Sequence, residues 1–457
     1  MSTASTATRS TSRRLIEGFA LLLWLAGLVF LHHWLALVVR LLGLAILAVM
    51  CARGRTLTPW LFFSMFAGVE YGLDLPHAAI ASRIASDIFL RLIQCIVAPL
   101  IFGTLVSGIA GRQAGNDDGG SRVGRIALKA FVYFEVLTTI ALAIGLVAIH
   151  ISRAGVGVAF LQHAAIAAPA TALTWQSFLL HVFPANIAEA VASGNILAVA
   201  VFALIFGLAL RGVGTQHREP MLRLVESLTQ TMFAFTNLVM YVAPLGVGAA
   251  LAYTVATSGL GVMESLGKLL LTLYAALIAF ALLAMLPAAL LARVPIRGFL
   301  RAVAEAATIA FATSTSEAAL PRAMEAMEAF GVPRSVTGLV IPAGYSFNLA
   351  GSALYLSLAV VFIAQAAGMH LGWKQQAGML LVLMLMSKGV AGVPRAVLVL
   401  LLATAGTFHL PEAPIFLILG IDALMDMGRT TVNVVGNCLA AAVVARWEGT
   451  FRLQDGG

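Results

Sequence analysis

The sequence predicts an all-α polytopic membrane protein, and three observations carry that reading. Of its 457 residues, 61% are hydrophobic and only 11% charged, whereas a soluble domain carries about a quarter charged residues. The apolar residues come in runs of about the 17–25 residues that a helix needs to cross a bilayer. The basic residues sit in small groups between those runs, as the positive-inside rule expects of cytoplasmic loops. A chain with so little polar surface could not cover a water-facing core, so lipid must be the solvent for much of it.

The formal charge of +8 would fit a nucleic-acid binder, but the arginines form no single stripe. They group at Arg9/Arg13/Arg14, Arg53/Arg55, Arg112/Arg122/Arg125 with Lys129, Arg211/Arg218/Arg223, Arg293/Arg297/Arg301 and Arg446/Arg452. If every group faces the cytoplasm, each interval holds an even number of crossings. Residues 15–31 and 34–52 give two, and 59–77 with 88–110 the next two. Then come 126–152 with 183–210, and 229–257 with 264–292. The first apolar stretch runs on into the next instead of ending at a small-residue processing site. It reads as an anchor, not a cleaved signal. Residues 1–14 are polar and basic and read as a disordered cytoplasmic tail, and 448–457 as a second cytoplasmic tail. Cys51, Cys95 and Cys438 lie in or beside apolar stretches, and their odd number argues against a disulfide framework. Without HExxH, a Walker loop or a CxxC pair, the sequence offers no metal, nucleotide or cofactor chemistry.

The interval 302–445 is different. Two of its apolar pieces are interrupted, one by Thr313–Pro321 and the other by Ser387–Pro394. For either alone, a surface loop is the plainer alternative. Together they share the pattern SxxxAxxPRA, at Ser314–Ala323 and Ser387–Ala396, and each precedes a long apolar span with polar residues inside it. Broken backbone at membrane depth must be enclosed by protein, and paired broken segments are the mark of inverted structural repeats meeting at a central site.

The last span carries the densest chemistry. On a helix turning about 100° per residue, Asp422, Asp426, Arg429, Thr430, Asn433 and Asn437 share one face. A charge at a helix centre costs about 2.5–3.5 kcal/mol on insertion scales. An Asp–Arg pair locking two helices would satisfy part of this. A polar cavity explains more, because Thr430 and two asparagines extend the same face without adding charge. In the preceding span, Pro342, Gly344 and Gly351 bracket Asn348. Proline removes a backbone donor and glycine weakens a helix, so the span is expected to unwind there instead of merely kinking. Unwound carbonyls would be oxygen ligands for a dehydrated cation. Glu135, followed by Thr138 and Thr139, interrupts a third apolar run. Desolvation penalises a charged carboxyl, which suits a proton carrier; pairing with a basic residue is the plainer alternative.

These regions resemble the dicarboxylate/amino acid:cation symporter family. The resemblance covers roughly residues 59–447 and rests on DIFLRLIQCIVAPLIFGTLVSGIAG, FPANIAEAVASGNILAVAVFALIFG, the serine-rich hairpin, VIPAGYSFNLAGS and DMGRTTVNVVGN. It implies a glutamate-transporter-type fold with eight core transmembrane helices, two re-entrant helical hairpins, inverted repeats and a trimeric assembly. The hairpins would span about 302–331 and 373–404, the second acting as the outer gate. Helices of the first half would form a fixed scaffold, while the second half, with the third and sixth helices, moves as an elevator. Residues 15–58 lie outside the resemblance as an added transmembrane hairpin.

By the same resemblance, Arg429 would bind a substrate carboxylate, a role that a bidentate guanidinium fits. Asp426 would bind the α-amino group, and Thr430 and Asn433 would add hydrogen bonds. Thr315, Ser316, Ser352, Gly392 and Val393 complete the expected substrate set. The expected cation-coupling set is Glu135, Thr138, Thr139, Gly344, Asn348, Ser387, Asp422 and Asn437. Two departures bear on coupling. The family's NMDGT-type motif reads NLAGS here, placing Ala350 where a carboxylate is usual. Sodium-coupled members end the last motif in Asp, where this chain has Asn437. The implied function is proton-coupled import of L-glutamate or L-aspartate across a bacterial inner membrane, with both termini cytoplasmic. Glu135 is the first proton carrier and Asp422 the second. The competing readings are a C4-dicarboxylate or sodium-coupled symporter, a member that binds without transporting, a passive channel, and an intramembrane hydrolase using Ser314 or Ser316. The last lacks a histidine base in the polar spans.

Overall fold

The computed structural model describes residues 24, 34–52, 57–110, 120–157, 183–193, 196–369, 371–387, 397, 400–401, 404, 408, 410–411 and 413–452. Among these residues the secondary structure is helical throughout. The elements run α1 (Trp34–Ala52), α2 (Leu57–Asp74), α3 (Pro76–Ala81), α4 (Arg83–Ala110), α5 (Gly120–Ser152), α6 (Ile187–Ala192), α7 (Ile196–Gly212), α8 (Thr215–Met240) and α9 (Ala243–Ser258). Then follow α10 (Gly261–Phe280), a π-turn (Ala281–Met285), α11 (Leu286–Leu291), α12 (Ile296–Thr313), α13 (Ser316–Ala329), α14 (Arg334–Phe347), α15 (Ala350–Ala366), α16 (Trp373–Ser387) and α17 (Ala413–Trp447).

Four runs among the described residues are long and apolar enough to cross a membrane: Pro76–Ser107, Gly124–Ser152, Gly261–Leu291 and Arg334–Ala366. The pair α8 and α9 passes the same test only when the two are taken together as one span, and it is bent by 51°. The sequence predicts one straight crossing over 229–257, but Pro244 in the first turn of α9 removes a backbone donor and the chain bends at Tyr241–Val242. Within the expected run 183–210, Asn186 caps the start of a short α6 through its side-chain oxygen and α7 starts at Ile196; residues 194–195 lie outside the described residues. The first interrupted piece begins earlier than 302. Pro295 starts α12 at Ile296, which takes Arg297 and Arg301 into the helix instead of a loop. Of the second, Ser387 ends α16, and residues 388–396, with Gly392 and Val393, lie outside the described residues.

The chain forms two compact units. The first comprises Met1–Arg91 and Leu238–Leu260. Its seam is α2 against α9, built from small residues. A Cβ at Gly68 would strike the carbonyl of Gly248, and one at Gly72 would lie 2.6 Å from the carbonyl of Ala252. Lipid supplies no hydrophobic drive between helices, so close backbone approach and van der Waals contact hold such seams.

The same unit holds an ion cluster that the apolar reading of 34–52 passes over. Arg40 of α1 is buried and donates to Glu70 at 2.8 Å and Asp74 at 2.9 Å, both on α2. Trp24 Nε1 donates to the other Glu70 oxygen at 3.2 Å. Breaking a buried pair from one side strands the remaining charge, at about 3–5 kcal/mol. Arg40→Leu should lose stability on that order in thermal unfolding in detergent. Arg40→Leu/Glu70→Leu/Asp74→Asn should recover most of it. A triple variant no more stable than the single one would show that stranded charge is not the cause.

The second unit comprises Leu92–Asn237 and Gly261–Gly457. At its centre α14 and α15 form a broken crossing, and 94% of its most apolar window is buried inside the protein, against 44–53% for the other three runs. Protein therefore encloses the break, as unpaired backbone requires. Helices α5 and α17 pack on α15, and the hairpin α12–α13 packs on α17.

Candidate functional site

Helix α17 is continuous over 35 residues, and it buries all six polar residues of the predicted face: Asp422, Asp426, Arg429, Thr430, Asn433 and Asn437. Arg429 is the largest fully buried side chain among the described residues. Its Nε donates to Asp426 Oδ1 at 2.8 Å and its Nη1 to Asp422 Oδ1 at 3.3 Å. These partners lie three and seven positions back along one helix, so the 3.6-residue period aligns them with the guanidinium. The guanidinium carbon also lies 4.5 Å from the centre of the Tyr355 ring, within cation–π range. Tyr355 Oη in turn donates to Asp422 Oδ1 at 3.3 Å. Thr430 Oγ1 donates to Asp426 Oδ1 at 3.1 Å. Tyr355 is absent from the sequence-predicted set. Its signal was an aromatic hydroxyl three residues after Ser352 in an apolar run, which sequence alone does not aim at a partner.

Two carboxyl groups and one guanidinium share this buried cluster. Arg429 Nη2 is buried and finds no acceptor among the described residues. A buried guanidinium with an idle donor can receive a carboxylate, and its planar fork suits that partner. Asp426 takes both of its described bonds on Oδ1. Arg429 and Asp426, expected to hold opposite ends of a substrate, are bonded to each other.

The crossing that faces α17 breaks where the sequence predicts. α14 ends at Phe347, and Asn348 (φ −129°, ψ 67°) and Leu349 (φ −96°, ψ 56°) leave the helical region before α15 starts at Ala350. The first turn of α15 has no side-chain cap of its own. Asn433 supplies one from α17: its Oδ1 accepts from the N–H groups of Gly351 at 2.8 Å and Ser352 at 3.4 Å. Its Nδ2 donates to Ser352 Oγ at 3.0 Å. Asn433 and Ser352, expected to touch substrate, hold the break together in this structure. Glycine is required at two contacts here. A Cβ at Gly351 would lie 2.5 Å from the carbonyl of Arg429, and one at Gly344 would overlap the Asn437 amide.

Asn348 Nδ2 donates to Asn437 Oδ1 at 2.8 Å. Two residues of the expected cation-coupling set are thus bonded to each other. Asp422, from the same set, joins the Arg429 cluster instead. Ala350 is buried and contributes no oxygen beyond its backbone.

At the hairpin tip, α12 ends in Ser314, which takes a left-handed φ of 53°. Thr315 Oγ1 donates to Thr313 Oγ1 at 3.2 Å and so ties the tip internally. Ser316 is buried at the start of α13. On α5, Thr138 is fully buried and Thr139 Oγ1 donates to the carbonyl of Glu135 at 2.8 Å. Met384 of α16 lies 3.7 Å from that same hydroxyl. α5 packs on α14, α15 and α17, the helices that build the site. The side chain of Ser387 lies outside the described residues.

The sequence matches the Sodium:dicarboxylate symporter family over residues 57–447. It is similar to the Proton/glutamate-aspartate symporter of Escherichia coli (strain K12), 40% identical over 377 residues, which cover 80% of this chain and 85% of that protein. It is equally similar to the C4-dicarboxylate transport protein of Solibacter usitatus (strain Ellin6076), 40% identical over 412 residues, or 87% of this chain and 95% of the relative. The broken crossing, the buried Arg429 cluster and these matches agree: the chain belongs to the sodium:dicarboxylate symporter family, multi-pass membrane transporters of dicarboxylates or acidic amino acids, and is not an enzyme.

Proposed function

We propose that this chain imports L-glutamate or L-aspartate together with protons, by elevator-type alternating access. The observation that carries the reading is the Arg429 guanidinium, fully buried and held by Asp422, Asp426 and Tyr355 beside a broken crossing. A substrate carboxylate would take the idle Nη2, and the free side of Asp426 would receive the ammonium group. In this reading Glu135 is the first carrier of the coupling proton and Asp422 the second. The pairing of Asn348 with Asn437 and the alanine at 350 speak against sodium. The relative named as a proton/glutamate-aspartate symporter supports the same choice.

In this reading the protein works as a trimer in the inner membrane with cytoplasmic termini. It has eight core transmembrane helices, re-entrant hairpins over about 302–331 and 373–404, and an added N-terminal hairpin over 15–58. The hairpin tips, with Ser316, Thr315, Gly392 and Val393, close over the substrate. A second reading, C4-dicarboxylate transport, is favoured by one observation. Asp426 is already engaged by Arg429 and Thr430, and a dicarboxylate has no ammonium group to claim it. The equally similar C4-dicarboxylate transport protein agrees with this.

Uptake into proteoliposomes decides between them. Labelled L-glutamate, L-aspartate and a C4-dicarboxylate are offered under an inward proton gradient or an inward sodium gradient. Concentrative amino-acid uptake driven by protons and indifferent to sodium is the expected result. Uptake that requires sodium overturns the coupling, uptake of the dicarboxylate alone overturns the substrate, and substrate binding without uptake identifies a protein that no longer transports.

A further inference from the structure

The C-terminal end of α17 makes contacts that the transport site does not use. Gly449, with a left-handed φ of 66°, ends the helix. Gly449 N–H donates to the carbonyl of Arg446 and Thr450 N–H to that of Ala445, both at 3.0 Å. This paired glycine cap reverses the chain direction. Just before it, the Glu448 side chain is only 2% exposed and receives two basic residues of α5. Arg125 Nη2 donates at 3.0 Å, and Lys129 Nζ donates at 2.5 Å. Lys129 also donates to the carbonyl of Trp447 at 3.0 Å, and Tyr133 meets the Trp447 ring edge-on at 6.2 Å. Residues 125, 129 and 133 are spaced by four and form one stripe on α5.

Beyond the cap the chain reaches the base of the α12–α13 hairpin. The Phe451 ring lies 5.3 Å from Phe330, which follows α13, and Phe330 lies 6.1 Å from Phe299 in the first turn of α12. Arg446 stacks over Phe451 at 4.1 Å. Arg452 N–H donates to the carbonyl of Gly331 at 3.0 Å, in the turn between α13 and α14. Five residues thus join the end of α17, the start of α5 and both legs of the hairpin.

We propose that residues 448–452 are a strap that fixes the base of the α12–α13 hairpin to α17 and α5, making Glu448 and Phe451 positioning residues for transport. This rests on the transport reading above. Glu448 lies 19 residues along α17 from Arg429, or about 28 Å at 1.5 Å per residue, so the strap cannot touch substrate. Its effect passes through the hairpin that carries Ser316. With the base anchored, motion is confined to the tip or to the three elements moving as one body. With it loose, the legs splay on the water side and turnover suffers, while the buried site stays intact.

The Arg125 and Lys129 bonds hold the Glu448 carboxyl at about 2, below its ordinary 4.5. A lowered carboxylate stabilises the fold above its ordinary value and loses that contribution as pH falls through the folded one. The stability gap between wild type and Glu448→Gln should therefore be constant above pH 4.5 and close between 4.5 and 2. The strap is not the neutral-range proton sensor.

Two measurements test the strap. Glu448→Gln and Phe451→Ala should each lower the saturating uptake rate at least about fivefold while the half-saturating concentration stays within about twofold. The charge swap Lys129→Glu/Glu448→Lys should recover at least about half of the lost rate. An unchanged rate, a parallel rise in half-saturation, or a swap that recovers nothing overturns the positioning role. Thermal unfolding of Phe330→Ala, Phe451→Ala and the double variant reads docking without transport. Non-additive shifts are expected of residues in contact, and additive ones overturn the strap itself. A wild type that takes up nothing sinks the transport reading and leaves the unfolding cycle to decide the strap.

Discussion

Replacing Arg429 with lysine should lower uptake at least about 100-fold while the protein remains folded. The argument turns on shape more than charge. Lysine keeps the cation beside Asp422 and Asp426, so neither buried carboxylate is stranded. It cannot present two parallel N–H groups to a carboxylate, nor lie flat over Tyr355. A lost bidentate, desolvated contact is worth about 2–5 kcal/mol, and about 1.4 kcal/mol is tenfold in rate. Arg429→Gln should be as inactive but also unstable, because two carboxylates then share a buried site without a counterion. Adding Asp422→Asn to Arg429→Gln should restore much of the stability and none of the uptake. Labelled uptake in proteoliposomes and thermal unfolding in detergent read the two effects separately. If Arg429→Lys transports at near wild-type rates, the guanidinium is a structural lock between helices and the substrate clamp lies elsewhere.

The sequence makes this cluster legible because charge inside an apolar run is rare, and helical periodicity alone aligns Asp422, Asp426 and Arg429 on one face. It also locates the break at Asn348, since Pro342, Gly344 and Gly351 weaken one short stretch of helix. What it does not disclose is which helix each face meets. Asn433 reads as a polar residue available to substrate, yet it caps α15 across 82 residues of sequence. Arg40 hides in a run whose average is apolar, and its partners Glu70 and Asp74 lie on another helix. Arg125 and Lys129 serve in the sequence as markers of the cytoplasmic side, while in the structure they are also the partners of Glu448. The bend at Tyr241–Val242 escapes for a related reason. Hydropathy continues smoothly across Pro244, so the apolar run conceals the missing backbone donor. Periodicity reports a residue's own helix, whereas each of these side-chain pairings belongs to two helices.

Glu135→Gln should abolish concentrative uptake driven by a proton gradient while leaving substrate exchange near wild-type rates. Glutamine has almost the same volume and keeps hydrogen-bonding capacity, so the packing of α5 on α14, α15 and α17 survives. Thr138 stays buried, and Thr139 still donates to the backbone carbonyl of residue 135. What the substitution removes is the acid group and with it any charge on residue 135. Exchange of external for internal substrate needs the loaded carrier to cross in both directions and moves no net proton. Net uptake needs the empty carrier to return, and its coupling disappears if the proton can no longer be released. Imposing an inward proton gradient should then raise internal substrate no further than the external concentration, while counterflow into preloaded vesicles persists. If Glu135→Gln still accumulates substrate, the proton resides elsewhere, and Asp422 is the next carboxyl to test. Its position against Arg429 and Tyr355 gives that alternative a different signature. Asp422→Asn would loosen the guanidinium and raise the half-saturating concentration along with the loss of coupling, whereas Glu135→Gln should leave substrate affinity unchanged.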